Sequence, residues 1–106
     1  MVNTKDINWE ILQENVRIKT LARDKARGLQ ISIMNLGKNV KRPHIHPDIE
    51  WVYVLRGSFS DENGRYEQGY FLANEKGSKH TLIVGQDGCE LILVWSGSVK
   101  MICDEE

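Results

Sequence analysis

The feature that most constrains this chain is the stretch from His44 to Gly57, which reads HIHPDIEWVYVLRG. Within it, His44, His46 and Glu50 are separated by two and four positions. Side chains alternate faces along an extended strand, so all three point to one side if the stretch is a single strand. An apolar run follows and ends at Gly57. We therefore expect a strand that carries two imidazoles and a carboxylate into one polar site.

The remaining histidine, His80, lies 30 positions after Glu50, which allows a neighbouring strand to return it to the same place. Each feature alone has an ordinary structural explanation, since a His-x-His pair on a strand is commonly a surface or core pair. A glutamate beside an apolar strand is commonly its solvated end. Together, however, the features place every histidine of the chain in one arrangement. Three imidazoles and a carboxylate suit Zn, Fe(II), Mn, Ni or Cu, and coordination would remove the cost of burying these polar groups.

Short apolar segments separated by turn signals predict an all-β fold. The expected strands cover residues 16–19, 29–33, 44–57, 58–61, 65–67, 70–73, 80–84, 89–95 and 99–102. Glu62-Asn63-Gly64 is a strong hairpin signal, and Gln86-Asp87-Gly88 predicts another turn. Residues 1–15 are expected to form a loose arm or one helical turn. Eight or more short strands without a long helix favour a single-domain sandwich or barrel, with residues 16–102 as its core and 103–106 as an acidic tail.

Several of these strands are apolar on both faces. Trp51, Tyr53 and Leu55 alternate with Val52 and Val54, and the segment 91–95 has the same character. In the segment 29–33, the apolar side chains share one face and the polar side chains share the other. One face of each strand would fill the barrel, with Val52 and Val54 lining the floor of a dry cavity. The other face must be covered by flanking segments or by another subunit, so a homodimer is expected.

Composition excludes several classes of function. The formal net charge is −1 and the charges are interspersed, which argues against a nucleic-acid partner. No apolar run approaches ~18 residues and no apolar leader follows Met1, so neither a membrane span nor a secretory leader is expected. Two cysteines, Cys89 and Cys103, in a chain of 106 residues favour reduced thiols over a disulfide framework. We expect a cytoplasmic protein with a small-molecule ligand or substrate.

The spacing of these residues resembles the two sequence motifs of the cupins, the double-stranded β-helix or jelly-roll proteins. The first motif is matched by Gly37, His44, His46, Glu50 and Gly57, with one extra residue after Gly37. The second motif is matched by Gly69, Gly77 and His80. Glu75 and Val84 replace the proline and the asparagine of that motif. The resemblance covers residues 9–95 and implies that His44, His46, Glu50 and His80 are metal ligands.

Among cupins, the run from Gly57 to Tyr70 and the Gly77-Ser78-x-His80 segment resemble the ChrR-like group. That group includes the metal-binding domain of a zinc anti-sigma factor, and the chain is also similar to stand-alone acetylacetone-cleaving dioxygenases that use Fe(II). The resemblance therefore implies two functions. One is a metal-dependent dioxygenase that acts on a small diketone-like or enolisable compound, with Glu50 or a bound water handling a proton. The other is a non-enzymatic zinc-binding sensor or regulatory module, with one divalent metal ion per chain in either case.

Other residues of this sequence are weaker candidates for chemistry. Cys89 opens an apolar strand and is expected to be a core residue rather than a redox thiol or a further ligand. Tyr53, Tyr70 and Trp95 are candidates for an aromatic wall, but parity places Tyr53 on the outer face. Arg56 shares the parity of Glu50 and could anchor an anionic substrate, although its position beside Gly57 favours solvent exposure.

Overall fold

A computed structural model describes residues 1–46 and 48–96, with the side chains of residues 44 and 45 outside that description. Its regular structure is one 3-10 turn, Thr4–Asp6, and eight strands. The strands are β1 Glu10–Gln13, β2 Val16–Asp24, β3 Leu29–Leu36, β4 Lys41–Ile45, β5 Glu50–Asp61, β6 Gly64–Glu67, β7 Phe71–Asn74 and β8 Lys79–Trp95. The described residues contain no α-helix, which confirms the all-β prediction.

All strand pairs are antiparallel and follow the order β1-β2-β3-β8-β5-β6, while β4 pairs with β8 and β7 pairs with β5. The long strands β5 and β8 therefore form the centre of the fold. The first half of β8 pairs with β4, and its second half pairs with β3. The first half of β8 lies opposite His44 of β4, whereas its second half lies opposite Glu50 of β5, so both halves position the candidate site.

The structure corrects the turn expected at Gln86–Gly88, since β8 continues from Lys79 to Trp95. Likewise, β5 runs through Gly57 without ending there. The two strands approach so closely at this crossing that a Cβ on Gly57 would overlap the carbonyl oxygen of Gly88. Both glycines have a φ of 73°, a left-handed conformation that other residues rarely adopt. The glycines therefore bend two continuous strands instead of ending them.

The barrel is filled by alternate residues of β2, β3, β5 and β8. Among the described residues, fourteen buried apolar side chains form one core cluster, which includes Met34, Leu36, Val52, Val54 and Leu91. As expected from parity, Trp51 and Tyr53 point outward and are 49% and 43% exposed. On β3 the inward face begins with the polar residues Gln30 and Ser32, and Leu29 is exposed. Gln30 and Ser32 are buried because they share a face of β3 with Met34 and Leu36. Burial of these two apolar side chains fixes the register of the strand.

At the N-terminus, the expected helical turn is present at Thr4–Asp6, whereas β1 was not predicted from the sequence. Trp9 lies beneath the guanidinium of Arg17 and the ammonium of Lys19, each 4.6 Å from its ring centre, and these contacts hold the arm against β2. The strand predicted at 99–102, Cys103 and the acidic tail lie outside the described residues. Within the described residues, no helix has the length and apolar character needed to cross a membrane.

Candidate metal centre

The stretch that contains the candidate ligands is not the single strand that the sequence suggested. β4 ends at Ile45 and β5 begins at Glu50, so Glu50 lies on a different strand from His44. The sequence between these strands contains Pro47, a residue type that has no backbone N–H to donate to a strand ladder. The backbone of His44 lies directly opposite that of His80 in the β4–β8 pair. A neighbouring strand thus brings His80 back beside His44, as we expected from the sequence. The side chain of His44 lies outside the described part of the chain.

The imidazole of His46 is fixed by the turn that precedes β8. Its Nδ1 lies 2.8 Å from the hydroxyl oxygen of Ser78 and 3.1 Å from the Ser78 carbonyl oxygen. The Ser78 hydroxyl donates its own hydrogen to the carbonyl of Glu75, so its oxygen acts as an acceptor for His46. Nδ1 of His46 therefore carries a proton, and Nε2 holds a lone pair whenever the ring is neutral.

That lone pair faces the carboxylate of Glu50. His46 Nε2 and Glu50 Oε1 are 3.2 Å apart, with side chains that are only 1% and 6% exposed. Oε1 also lies 3.4 Å from the Asn74 amide nitrogen, which is a long hydrogen bond. The second oxygen, Oε2, is buried and has no hydrogen-bond donor among the residues that the structure describes. A metal ion, or a proton on His46 Nε2, would stabilise this buried contact.

The imidazole of His80 is held by the carboxylate of Asp61, at the end of β5. His80 Nδ1 and Asp61 Oδ2 are 2.8 Å apart. Burial by itself raises the pKa of Asp61, but hydrogen bonds from His80, the Asn63 backbone N–H and the Tyr66 hydroxyl outweigh it and lower the pKa below its ordinary value. Asp61 is therefore an ionised acceptor at neutral pH, and Nδ1 of His80 is the nitrogen that donates to it.

The rings of His46 and His80 lie 4.9 Å apart, centre to centre. Glu50 and His80 line a cavity of about 20 Å³, together with Arg42, Asn74 and the apolar residues Met34, Val52, Phe59, Leu82, Leu91 and Leu93. A volume of this size holds about one water molecule. Among the described side chains, no three histidine, cysteine, aspartate or glutamate groups are arranged to hold a metal ion together.

Of the other candidates, Cys89 is a fully buried free thiol whose pKa is raised by burial to about 12. It is a core residue, as the sequence suggested. Trp95 is also buried, whereas Tyr70 is exposed and forms no cavity wall. Arg56 is exposed because β5 has a bulge between Val54 and Arg56. Val54 is buried but does not line the cavity.

Sequence reasoning missed four polar residues that surround the candidate ligands. They are Arg42, Asp61, Asn74 and Ser78. Arg42 is 7% exposed and lines the same cavity as Glu50 and His80. Ser78 stands inside the second matched motif, so its position gave a usable signal. Asp61 lies 19 residues before His80 at the start of a hairpin, and no local pattern of the sequence indicates that the two meet.

A family model described as the ChrR cupin-like domain matches residues 1–100 of this chain. Solved structures with the same fold include an RmlC-like cupin from Ralstonia eutropha, which is 17% identical with a TM-score of 0.81 over 92% of this chain and 68% of that one. An acetylacetone dioxygenase from Acinetobacter johnsonii is 14% identical, with a TM-score of 0.80 over 92% and 73% of the two chains.

A third similar structure is the Rhodobacter sphaeroides complex of SigE with the anti-sigma factor ChrR. The matched chain is 21% identical with a TM-score of 0.76, over 88% of this chain and 50% of that one. This chain thus spans half the length of that relative. No curated protein matches by sequence. Together with the strand topology, these structural matches confirm the predicted cupin fold.

Proposed function

Because the chain belongs to the ChrR cupin-like domain family, we propose that it is a metal-binding cupin whose ligands are His44, His46, Glu50 and His80. The observation that carries the proposal is the contact between His46 and Glu50. A lone pair of the imidazole faces a carboxylate oxygen at 3.2 Å inside the barrel. A proton or a metal ion can stabilise this pair, and the neighbouring histidine ring at 4.9 Å favours a metal ion.

The chemistry of the described donors fits such an ion. Two ligands of one metal, each about 2.1 Å from it, stand roughly 3.0–3.4 Å apart at tetrahedral or octahedral angles, which agrees with the separation of His46 Nε2 and Glu50 Oε1. Both His46 and His80 have Nδ1 engaged by an acceptor, as is usual for metal-ligating histidines. The buried Glu50 Oε2 would gain a partner that the described residues do not provide. Imidazole and carboxylate donors suit Zn, Fe(II), Mn or Ni.

We propose that the reaction is oxygen-dependent cleavage of a small diketone-like or enolisable compound. A bound Fe(II) or similar ion would supply Lewis-acid and redox chemistry. The chain itself would supply a water-poor wall of Val52, Leu82 and Leu93 and the buried guanidinium of Arg42. That positive charge favours an enolate over the neutral compound. Glu50, through the carboxylate oxygen that does not bind the ion, would accept or return a proton.

A second candidate function is a zinc-binding sensor or regulatory module. The observation that favours it is the cavity volume of about 20 Å³, which accommodates one water-sized group but not a diketone without movement of the wall. A zinc ion with four protein ligands would also leave no open position for a substrate. The similarity to a chain from the SigE–ChrR complex agrees with this alternative at the level of the fold.

Metal analysis of the purified chain and oxygen uptake separate these functions. For the enzyme, we expect one metal ion per chain and oxygen consumption with Fe(II) and a panel of β-dicarbonyl compounds. The His80→Ala variant should lose both, since it removes a ligand. Stoichiometric zinc without oxygen uptake, under any reconstitution with Fe(II), Mn or Ni, would reject the dioxygenase and support the sensor. Absence of metal from the native and reconstituted chain would reject both.

We also propose a cytoplasmic homodimer formed through the outer face of the sheet. Register places two apolar rows across neighbouring strands: Phe71, Tyr53, Ile92 and Ile33 in one, and Ala73, Trp51, Val94 and Ile31 in the other. Neither row contains a charged residue, so a second copy can pack against it without like-charge repulsion. Light scattering should give twice the chain mass, and Trp51→Lys should give the monomer. A monomeric native chain at high concentration would contradict the dimer.

A further inference from the structure

Asp61 lies at the end of β5 and connects the β5–β6 hairpin to the candidate metal centre. Its side chain is 3% exposed, and the side chain of His80 that it contacts is 7% exposed. Asp61 Oδ1 accepts a hydrogen bond from the backbone N–H of Asn63 at 2.8 Å and another from the Tyr66 hydroxyl at 3.0 Å. Oδ2 faces Nδ1 of His80 at 2.8 Å. Oδ1 therefore binds residues of the hairpin, and Oδ2 contacts His80.

This division determines which nitrogen of His80 carries the proton. An ionised carboxylate accepts hydrogen bonds but cannot donate them, so Nδ1 of His80 is the donor. In the neutral ring Nε2 then keeps the lone pair that a metal ion requires. We propose that Asp61 is a positioning residue that holds His80 in its metal-binding tautomer. The proposal rests on the metal site proposed above, and it assigns to Asp61 a role that the cupin motifs do not include.

The Asp61→Asn variant gives a sharp test because the neighbours of Oδ1 dictate how the new amide is oriented. The amide oxygen must remain near Asn63 N–H and the Tyr66 hydroxyl, since the amide NH₂ would otherwise face two donors. The NH₂ group then faces His80 and donates to Nδ1. This reverses the tautomer, so that Nε2 carries the proton and cannot bind a metal. A carboxylate-to-amide change behind a functional histidine is known to act in this way.

A purely structural role for Asp61 predicts a different order of effects. Asp61→Ala leaves the Asn63 N–H and the Tyr66 hydroxyl without their acceptor, whereas Asp61→Asn keeps both hydrogen bonds. The metal-free Asn variant should therefore be more stable than the metal-free Ala variant. For metal binding we expect the opposite order. The Ala variant should lose about 10-fold in metal affinity and the Asn variant about 100-fold. These values span the usual loss when a residue that hydrogen-bonds to a metal ligand is mutated.

The experiment measures three quantities on the full chain: apo melting temperature, Zn²⁺ affinity by chelator competition, and the ¹⁵N shifts of the His80 ring in the apo protein. We expect Nδ1 to be protonated in the unmodified chain and Nε2 to be protonated in Asp61→Asn. Glu62→Gln is the matched control. It makes the same charge change on the same hairpin, but Glu62 contacts the Thr81 backbone N–H at 3.0 Å and not His80. We expect its zinc affinity to stay within twofold of the unmodified chain.

The outcomes separate the two proposals. Metal binding by the unmodified chain, with equal affinity in Asp61→Asn and no change of tautomer, would overturn the role of Asp61 and leave the metal site intact. Affinities that follow the order of apo stability would also overturn it, since they would indicate a structural role. Failure of the unmodified chain to bind Zn²⁺ or Fe(II) would overturn the metal site and, with it, this inference.

Discussion

Among the residues that the structure describes, two polar clusters reach into the barrel, and they differ in how their side chains are paired. The glutamine cluster consists of Thr20, Arg23, Gln30 and Ser32, and the histidine cluster consists of His46, Glu50 and His80. In the glutamine cluster, Gln30 donates to Ser32 Oγ at 3.0 Å and to Thr20 Oγ1 at 3.4 Å, while Arg23 donates to Gln30 Oε1 at 3.0 Å. Every one of these contacts joins a donor to an acceptor.

The histidine cluster is arranged differently. Nδ1 of His46 is engaged by Ser78 and Nδ1 of His80 by Asp61, so the Nε2 atoms hold the lone pairs when the rings are neutral. One of these faces the carboxylate of Glu50 at 3.2 Å. Hydrogen bonds complete the glutamine cluster, whereas the histidine cluster brings acceptors together. Gln30 and Ser32 are as buried as His46 and Glu50, but their cluster stabilises the fold by itself, whereas the histidine cluster is suited to a cation.

The largest effect on metal affinity is expected from Glu50→Gln. This variant should give the histidine cluster a donor–acceptor pair like those of the glutamine cluster. The amide can donate to Nε2 of His46, so the apo variant should melt no lower than the unmodified apo chain. Its metal affinity should fall by more than the roughly 10–100-fold that loss of an outer partner costs, because the anionic ligand is gone. Calorimetric metal titration and thermal unfolding measure the two quantities. Unchanged metal affinity in Glu50→Gln would contradict the proposed difference between the two clusters.

A smaller effect is expected from Gln30→Ala in the glutamine cluster. The variant removes the hydrogen-bonding partner of buried Ser32 and should cost about 1–3 kcal/mol of unfolding free energy, for a buried polar group left unsatisfied. The loss should be the same with and without metal, since the cluster does not contact the metal centre. Gln30→Met is the matched control because it keeps the shape of the side chain. A loss that appears only in the metal-loaded protein would show that the clusters are not independent.

The smallest effect on metal binding is expected from Cys89, which belongs to neither cluster. Burial raises the pKa of its thiol to about 12, so it remains neutral and unreactive at pH 8. In a Cys103→Ser background, Cys89 of the folded protein should resist iodoacetamide at pH 8 and react after unfolding. Cys89→Ala should leave metal affinity within twofold. Rapid alkylation of the folded chain, or protection that depends on metal, would assign the thiol to the site.

The sequence predicted the fold more completely than it predicted the site. Alternating apolar residues and the Glu62-Asn63-Gly64 hairpin signal depend on local geometry, and the structure agrees with both. The continuity of β8 could not be foreseen at Gln86–Gly88, because the close approach of Gly57 is a contact between distant strands. β5 is continuous for the same reason.

For the site, parity grouped His46 with Glu50 although the two are not on one strand. Their meeting depends on the chain between β4 and β5 and on the position of β8. The partners of the histidines, Asp61 and Ser78, come from a hairpin and a turn whose contacts no local pattern specifies. Spacing can therefore indicate candidate ligands, whereas the acceptors that set their tautomers require the folded chain.

The most direct test of the central claim is the thermal unfolding of the metal-free chain before and after addition of metal. A ligand that binds only the native state at 100 times its Kd adds about 2.7 kcal/mol of unfolding free energy. For a domain of this size, that corresponds to a rise of about 10–20 °C in Tm. We predict this rise in the unmodified chain and in Gln30→Ala, and its absence in Glu50→Gln. An unmodified chain whose Tm responds neither to metal nor to chelator, and which retains no metal, would contradict the account.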